Sequence, residues 1–155
     1  MLKLSKMTDY AVVVMAYIAR HHEQQFTAAE LSEQVGVPKP TVSKLLKMLV
    51  RAGLVESRRG AQGGYVLSRP ASHITVADLI EAIEGPVAMT DCSHTDSQCD
   101  LAGQCGVADN WQRVTVAVHQ MLSSVTLAHL AQEAPIRLPL VQIQAVNLMP
   151  DLAKA

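Results

Sequence analysis

Residues 27–53 carry the start and stop signals of two short helices joined by a tight turn, a pattern that severely limits the possible folds. Thr27-Ala-Ala-Glu30 is a capping box, which predicts a helix that ends at Gly36. Pro38-Lys-Pro40 predicts a second start, because a first helical turn does not need the amide that proline lacks. Gly53 predicts the end of this second helix. Helix, glycine-containing turn and helix are the sequence form of a helix-turn-helix.

The second of these helices, predicted over residues 40–52, has an apolar side and a basic, hydroxyl-bearing side. We expect its apolar positions to be buried, namely Val42, Leu45, Leu46, Leu49 and Val50. The other side carries Lys39, Thr41, Ser43, Lys44, Lys47 and Arg51. Such a face suits phosphates and base edges in a major groove. An ordinary solvated face of a helical bundle is the alternative, since motif matches include false positives.

Residues 54–57 and 65–67 are short β-type runs separated by a cationic, glycine-rich stretch, which predicts a β-hairpin. A hairpin directly behind a helix-turn-helix is a wing, and Arg58 and Arg59 at its base are expected to reach a minor groove. The alternative is a phosphate-binding loop. That loop would need a G-x-G-x-x-G or P-loop lysine pattern, and neither is present.

Two further amphipathic helices flank these motifs. The first is predicted over residues 7–21, with Thr8 or Ser5 as its cap. The second is predicted over residues 74–84 with Thr75 as its cap, and its expected buried side is Val76, Leu79, Ile80 and Ile83. Only 3% of residues are aromatic although 49% are hydrophobic, so the core must be aliphatic.

Charge is distributed unevenly along the chain. Residues 1–70 contain ten Lys and Arg against five Asp and Glu, a net charge of +5, and the remainder carries −6. A basic front half predicts an anionic partner for that half. No secretory signal is recognisable, and the uncharged stretch after Arg113 is too polar for a membrane span. We therefore expect a soluble, cytoplasmic protein without membrane contact.

All three cysteines, Cys92, Cys99 and Cys105, lie in one segment rich in Gly, Ser, Asp and Gln, here called the cysteine segment (residues 92–105). Three cysteines cannot all pair within one chain, and thiolates bind soft metals, so a metal site is favoured over three free thiols. The spacing C-x6-C-x5-C matches neither zinc ribbons nor common ferredoxins. A fourth ligand would differ from sulfur, and nearby candidates are His94, Asp91, Asp96 and Asp109.

Beyond the cysteine segment, apolar residues recur in steps of four and three: Val107, Trp111, Val114, Val118, Met121 and Val125. This seam predicts a helix that pairs with a second copy, and packing on its own domain is the alternative. Another helical turn or two is expected after a kink, over residues 126–133. No structure is assigned to the tail, residues 134–155.

The chain resembles the dimeric winged-helix bacterial regulators that include the iron–sulfur cluster regulator and the nitric-oxide-sensitive repressor. The resemblance covers residues 1–133 and rests on LSKMTDYAV, RRGAQGGYVL, VADLIEAIEG, the three cysteines and NWQRV. The phrases TVSKLLKMLVRAGLVESRRG and CGVADNWQRV are most similar to the branch that regulates the SUF iron–sulfur assembly operon.

The resemblance implies an iron–sulfur cluster, [2Fe-2S] or [4Fe-4S], on Cys92, Cys99 and Cys105. The cluster-assembly regulator has a histidine ligand where this chain has Ala108. The nitric-oxide-sensitive repressor instead uses an aspartate near the N-terminus, donated by the partner subunit, and Asp9 matches it. Asp9 is therefore the expected fourth ligand. Ser43 stands where the cluster-assembly regulator reads bases with a glutamate, so operator preference need not carry over.

Together these features predict a mainly α protein, not an enzyme. The expected parts are a winged helix-turn-helix head (1–70), a linking helix with the cysteine segment (71–106), a dimerisation helix (107–133) and the tail. The predicted function is a homodimeric regulator that binds a double-stranded DNA operator and senses a cluster. Zinc- or thiol-based regulation and a structural metal-binding interaction module are the alternatives.

Overall fold

The computed structural model describes residues 4–60, 63–90 and 106–132. The fold is mainly helical with one small antiparallel hairpin, as predicted. In chain order the elements are α1 (Lys6–Arg20), α2 (Ala28–Val35), α3 (Lys39–Arg51), β1 (Val55–Arg58), β2 (Gly64–Leu67), α4 (Val76–Glu84), α5 (Ala108–Ser123) and α6 (Leu127–Ala131). A short 3-10 turn, Ala71–His73, precedes α4.

The helix starts follow from local capping chemistry. Of the two candidates for α1, Ser5 is the cap: its hydroxyl accepts a hydrogen bond from the Thr8 amide at 3.3 Å. The Thr27 capping box forms as predicted, and Gly36 ends α2 with a left-handed φ of 69°. Thr75 begins α4 with a second capping box.

The core lies where α1, α3, α4 and α6 meet, and it is aliphatic apart from Phe26. Four of the five predicted core positions of α3 are fully buried, namely Val42, Leu45, Leu46 and Leu49. The prediction for Val50 was wrong: it is 36% exposed, because it lies next to the helix end and off the stripe that faces α1. In α4, Val76 and Ile83 are only half-buried, and Ala77 is buried beside Leu79 and Ile80.

The hairpin packs on the helical core through Val55, Tyr65 and Leu67, and it is also bridged to the segment before α2. Strands β1 and β2 pair with Val55 opposite Leu67 and Arg58 opposite Gly64. Phe26 forms an isolated bridge with Tyr65, in which the Tyr65 amide donates to the Phe26 carbonyl at 2.8 Å. This bridge fixes the base of the hairpin against the segment that precedes α2.

After α5 the chain turns back to the head, so the predicted kink near residue 126 is confirmed. Thr126 pairs with Thr75 in an isolated bridge, and it caps α6 through the His129 amide. Two backbone hydrogen bonds extend this joint, from the Val76 amide to the Val125 carbonyl (2.8 Å) and from the Leu127 amide to the Ile74 carbonyl (2.7 Å). The joint places α6 on α1.

The tail, residues 134–155, lies outside the described residues. Within the described ranges no helix combines the length and the apolar composition needed to cross a bilayer.

Candidate nucleic-acid interface and cysteine segment

The basic side of α3 is presented to solvent because the opposite side is buried. The side chains of Lys39, Lys44, Lys47 and Arg51 are all exposed, whereas Thr41 and Ser43 are half-buried beside them. Full burial of Leu45 and Leu46 leaves the helix no freedom to rotate about its axis. The structure therefore brings the predicted α3 residues onto one cationic surface.

The turn before α3 is held by a contact that sequence reasoning did not identify. The Ser32 hydroxyl of α2 donates to the Val37 carbonyl at 2.7 Å. Val37 itself is buried. Because α3 begins at Lys39 with no side-chain cap, this hydrogen bond and Pro40 set the direction in which α3 leaves the turn.

The wing, whose strand β1 contacts α3, adds two exposed cations. Arg58 is the last residue of β1, paired with Gly64, and both Arg58 and Arg59 are exposed. Residues 61–62 at the tip lie outside the described ranges. Contact of Arg58, Arg59 and the α3 residues with DNA stays a prediction, supported by their shared exposure and charge.

The three cysteines and three of the candidate ligands, Asp91, Asp96 and His94, fall outside the described residues. Within the described ranges no group of three or more His, Cys, Asp or Glu side chains is arranged to hold a metal. The described neighbours of the cysteine segment are the stretch up to Thr90 and the stretch from Gly106. Ala108 is the first residue of α5, and Asp109 is exposed in its first turn.

Asp9 lies in the first turn of α1 with its side chain exposed. Its amide donates to the Ser5 carbonyl at 3.2 Å, and its carboxylate makes no hydrogen bond or ion pair to any residue that the structure describes. A solvent-facing carboxylate without a partner is available to a ligand from outside its own helix. Whether Asp9 ligates metal stays a prediction.

The chain leading into the cysteine segment is tied to the head by Glu84, the last residue of α4. The Glu84 carboxylate accepts hydrogen bonds from the Ser5 amide at 2.9 Å and from the Thr8 hydroxyl. These hydrogen bonds from Ser5 and Thr8 lower the pKa of Glu84, and the slight burial of the group opposes them only weakly. The carboxylate is therefore held ionised.

The same stretch is also tied to α5. The Met89 amide donates to the Thr115 hydroxyl at 3.3 Å, and one helical turn later His119 Nε2 lies 3.1 Å from Glu81 Oε1 of α4. Sequence reasoning did not single out Glu84 or Thr115. Both contacts join residues far apart in the chain, and neither residue belongs to a recognisable motif.

The predicted pairing helix α5 presents its apolar seam to solvent. Val107 is 53% exposed, Trp111 40%, Val114 42% and Met121 48%, whereas Val118 is half-buried. Val125, the last position of the seam, lies beyond the helix and is half-buried. Thr115 is the single buried residue of α5. A row of exposed apolar side chains on a charge-poor helix is typical of a protein–protein contact surface.

Comparison with known proteins gives consistent matches to regulators. The Rrf2 family, described as iron-dependent transcriptional regulators, matches residues 4–133. Protein aau3 of Rhizobium meliloti is 34% identical over 135 residues, which cover 86% of this chain and 88% of that protein.

Comparison with solved structures also gives matches to regulators of transcription. CymR, the global cysteine regulator of B. subtilis, has a TM-score of 0.66 at 31% identity, covering 87% of this chain and all of that one. IscR of T. potens has a TM-score of 0.60 at 31% identity, covering 82% of this chain and 84% of that one. These similarities are to winged-helix regulators of transcription, not to enzymes. The chain belongs to the Rrf2 family of DNA-binding transcriptional regulators.

Proposed function

We propose that this Rrf2-family regulator is a homodimer that senses an iron–sulfur cluster on Cys92, Cys99 and Cys105. Its regulated genes would be those of SUF-type cluster assembly. The observation that carries the proposal is the attachment of the described stretch that precedes these cysteines. The stretch that leads into them is held to the DNA-reading head through Glu84 and to the exposed apolar helix through Thr115. The likeness to T. potens IscR supports the cluster in particular.

The donor set suits an iron–sulfur cluster. Three thiolates bind iron strongly, and a carboxylate in the remaining position makes a weaker bond that is easily lost. Asp9 would complete the set, because its carboxylate is exposed and has no described partner. When bound, the cluster supplies a link that oxidation or iron loss can break. The residues of this chain provide the ligands and the contacts through which that loss acts.

Two copies would pair through the apolar seam of α5, which a free monomer would leave in water. Pairing would place two α3 helices side by side for a pseudo-palindrome with half-sites about 34 Å apart. Lys44 and Lys47 would contact phosphates, Thr41 and Ser43 base edges, and Arg58 and Arg59 the neighbouring minor groove. A change in the cysteine segment would alter the balance between two states of different DNA affinity.

A second candidate is a thiol switch without metal, favoured by the likeness to Staphylococcus aureus CymR, for which an oxidized form has been solved. The two candidates differ in what the cysteines hold. Anaerobic purification followed by visible absorption, iron and sulfide assays, and operator binding before and after cluster removal separates them. Visible absorption with matching iron and sulfide, together with altered operator affinity after removal, supports the cluster sensor.

Asp9→Ala tests the fourth ligand, with Glu23→Ala as its control, which removes an exposed carboxylate that is not a candidate ligand. We expect an altered spectrum and faster cluster loss for Asp9→Ala alone. A colourless protein that forms a reversible disulfide would favour the thiol switch. Zinc without colour would indicate a structural metal site and contradict the cluster sensor.

A further inference from the structure

We propose that Glu84 is a positioning residue. It fixes the first turn of α1, which carries Asp9, to the end of α4, where the chain leads into the cysteine segment. The role of this contact in signalling rests on the proposed cluster-sensing function. The contact itself is a property of the metal-free fold and is testable without any cluster.

Glu84 completes the start of a helix that lies 79 residues earlier in the chain. One of its carboxylate oxygens, Oε1, accepts from both the Ser5 amide and the Thr8 hydroxyl. Ser5 in turn caps the Thr8 amide at 3.3 Å, and its carbonyl accepts from the Asp9 amide at 3.2 Å. The four residues form one hydrogen-bonded unit at the positive end of α1, where a carboxylate is favoured.

The contact of Glu84 with Ser5 and Thr8 links two helices in addition to capping α1. Ser5 already supplies the local cap of α1, so a remote carboxylate is not needed to satisfy the first turn. Thr8 is fully buried, and its hydroxyl needs a partner inside the protein. The Glu84 carboxylate is the nearer of its two partners, since the Ser5 hydroxyl lies 3.4 Å away. Because Glu84 belongs to another helix, the position of the first turn of α1 depends on the position of the end of α4.

The residues after Glu84 continue the connection. Gly85 leaves the helix with a φ of 94°, a conformation that directs the chain away from the α4 axis. Four residues later the Met89 amide is held by Thr115 of α5. Residues 84–89 are thus attached to α1 at one end and to α5 at the other, next to the cysteine segment. A displacement of the cysteine segment therefore reaches the head through Glu84.

Hydrogen exchange of the metal-free full chain, followed by NMR, tests the contact. In Glu84→Ala we expect the Ser5, Thr8 and Asp9 amides to exchange about fivefold faster or more, the effect of losing roughly one ordinary hydrogen bond. Glu84→Gln keeps an acceptor oxygen and should restore part of the protection. The control is Glu23→Ala, which removes an exposed carboxylate beyond the other end of α1. Unchanged exchange in Glu84→Ala would overturn the proposal.

Operator affinity measured with and without the cluster tests the signalling role. We expect Glu84→Ala to reduce the ratio of the two affinities at least fivefold relative to wild type. The affinity ratio of Glu84→Gln should lie between those of wild type and Glu84→Ala. The ratio of Glu23→Ala should equal that of wild type. Faster exchange with an unchanged ratio would make Glu84 merely structural and contradict the proposal. A wild type that takes up no cluster would refute the sensing function, and the exchange measurement would still decide the role of Glu84.

Discussion

The Met89 amide and the Thr115 hydroxyl, 3.3 Å apart, join the two chain segments that flank the cysteine segment. Thr115 is 6% exposed, and Met89 is half-buried. The two positions are 26 apart in the sequence, and the contact closes the chain between them into a loop whose ends stay fixed in the fold. Closing a loop of this length costs conformational entropy, which this contact and the α4–α5 packing must offset.

Removing the Thr115 hydroxyl should therefore weaken the fold. Thr115→Val keeps the shape of the side chain and leaves the Met89 amide without its partner, so we expect the free energy of unfolding to fall by about 1–2 kcal/mol. Urea denaturation of the metal-free protein measures it. Thr115→Ser keeps the hydroxyl, so its free energy of unfolding should fall by less than that of Thr115→Val. Equal losses in both variants would show that methyl packing, not the hydrogen bond, fixes the two ends.

The exposed lysines of α3 should contribute to DNA binding mainly through phosphates. For each of Lys44→Ala and Lys47→Ala we expect weaker operator binding and a log–log salt slope smaller by about 0.9, the value for one lost phosphate contact. Fluorescence anisotropy at several salt concentrations measures both quantities. Arg113→Ala removes an exposed cation from α5 instead and should change neither. A slope unaffected by the lysine variants would place DNA on another surface.

The seam of α5 should determine the oligomeric state. Val114→Glu puts a charge on the predicted contact, so we expect the dimer dissociation constant to rise more than tenfold, about 1.4 kcal/mol. Val116 is equally exposed on α5 but off the seam, and Val116→Glu should remain dimeric. Sedimentation velocity distinguishes the two variants. The single tryptophan, Trp111, gives a second signal, because its emission should shift to longer wavelength as a dimer dissociates on dilution.

Acid should destabilise the metal-free protein in part through the carboxylates of Glu84 and Asp78. Hydrogen bonds from Ser5 and Thr8 lower the pKa of Glu84 below its ordinary 4.5. Burial raises the pKa of Asp78, but hydrogen bonds from Thr75 and the nearby Arg69 outweigh it, so the net shift from 3.8 is also downward.

Because both pKa values are lower in the folded state, their contribution is complete above the ordinary carboxyl values and is lost as the pH falls below them. Unfolding free energies measured from pH 6 to pH 3 should decline less steeply for Glu84→Gln than for wild type. Parallel curves would contradict the assigned contribution of Glu84.

The base of the wing should not tolerate a side chain at Gly64. A Cβ there would lie 2.9 Å from the amide nitrogen and carbonyl oxygen of Phe26, so Gly64→Ala must push the hairpin away from its bridge. We expect a loss of about 1–3 kcal/mol, as for other overpacked sites. Gly106→Ala, which meets no atom within 4 Å, should leave stability nearly unchanged. Thermal unfolding of both variants checks the comparison.

Local chemistry was predictable and remote contacts were not. The capping box at Thr27 and the glycine stop at Gly36 depend on residues a few positions apart, so the sequence alone located α2 correctly. Val50 was misassigned because a periodic pattern does not separate the edge of a buried stripe from its centre near a helix end. Glu84 gave no signal, since its partners Ser5 and Thr8 are remote in sequence and a glutamate at a helix end is unremarkable.

Leu127 of α6 is fully buried in the same cluster as Val42, Leu46 and Leu49 of α3. Leu127 follows the cysteine segment in the chain, and its helix packs on α1. A nascent or truncated chain that stops before α6 would lack both Leu127 in this cluster and the helix that packs on α1. During translation, the core of the head is therefore completed only after the cysteine segment has been synthesised.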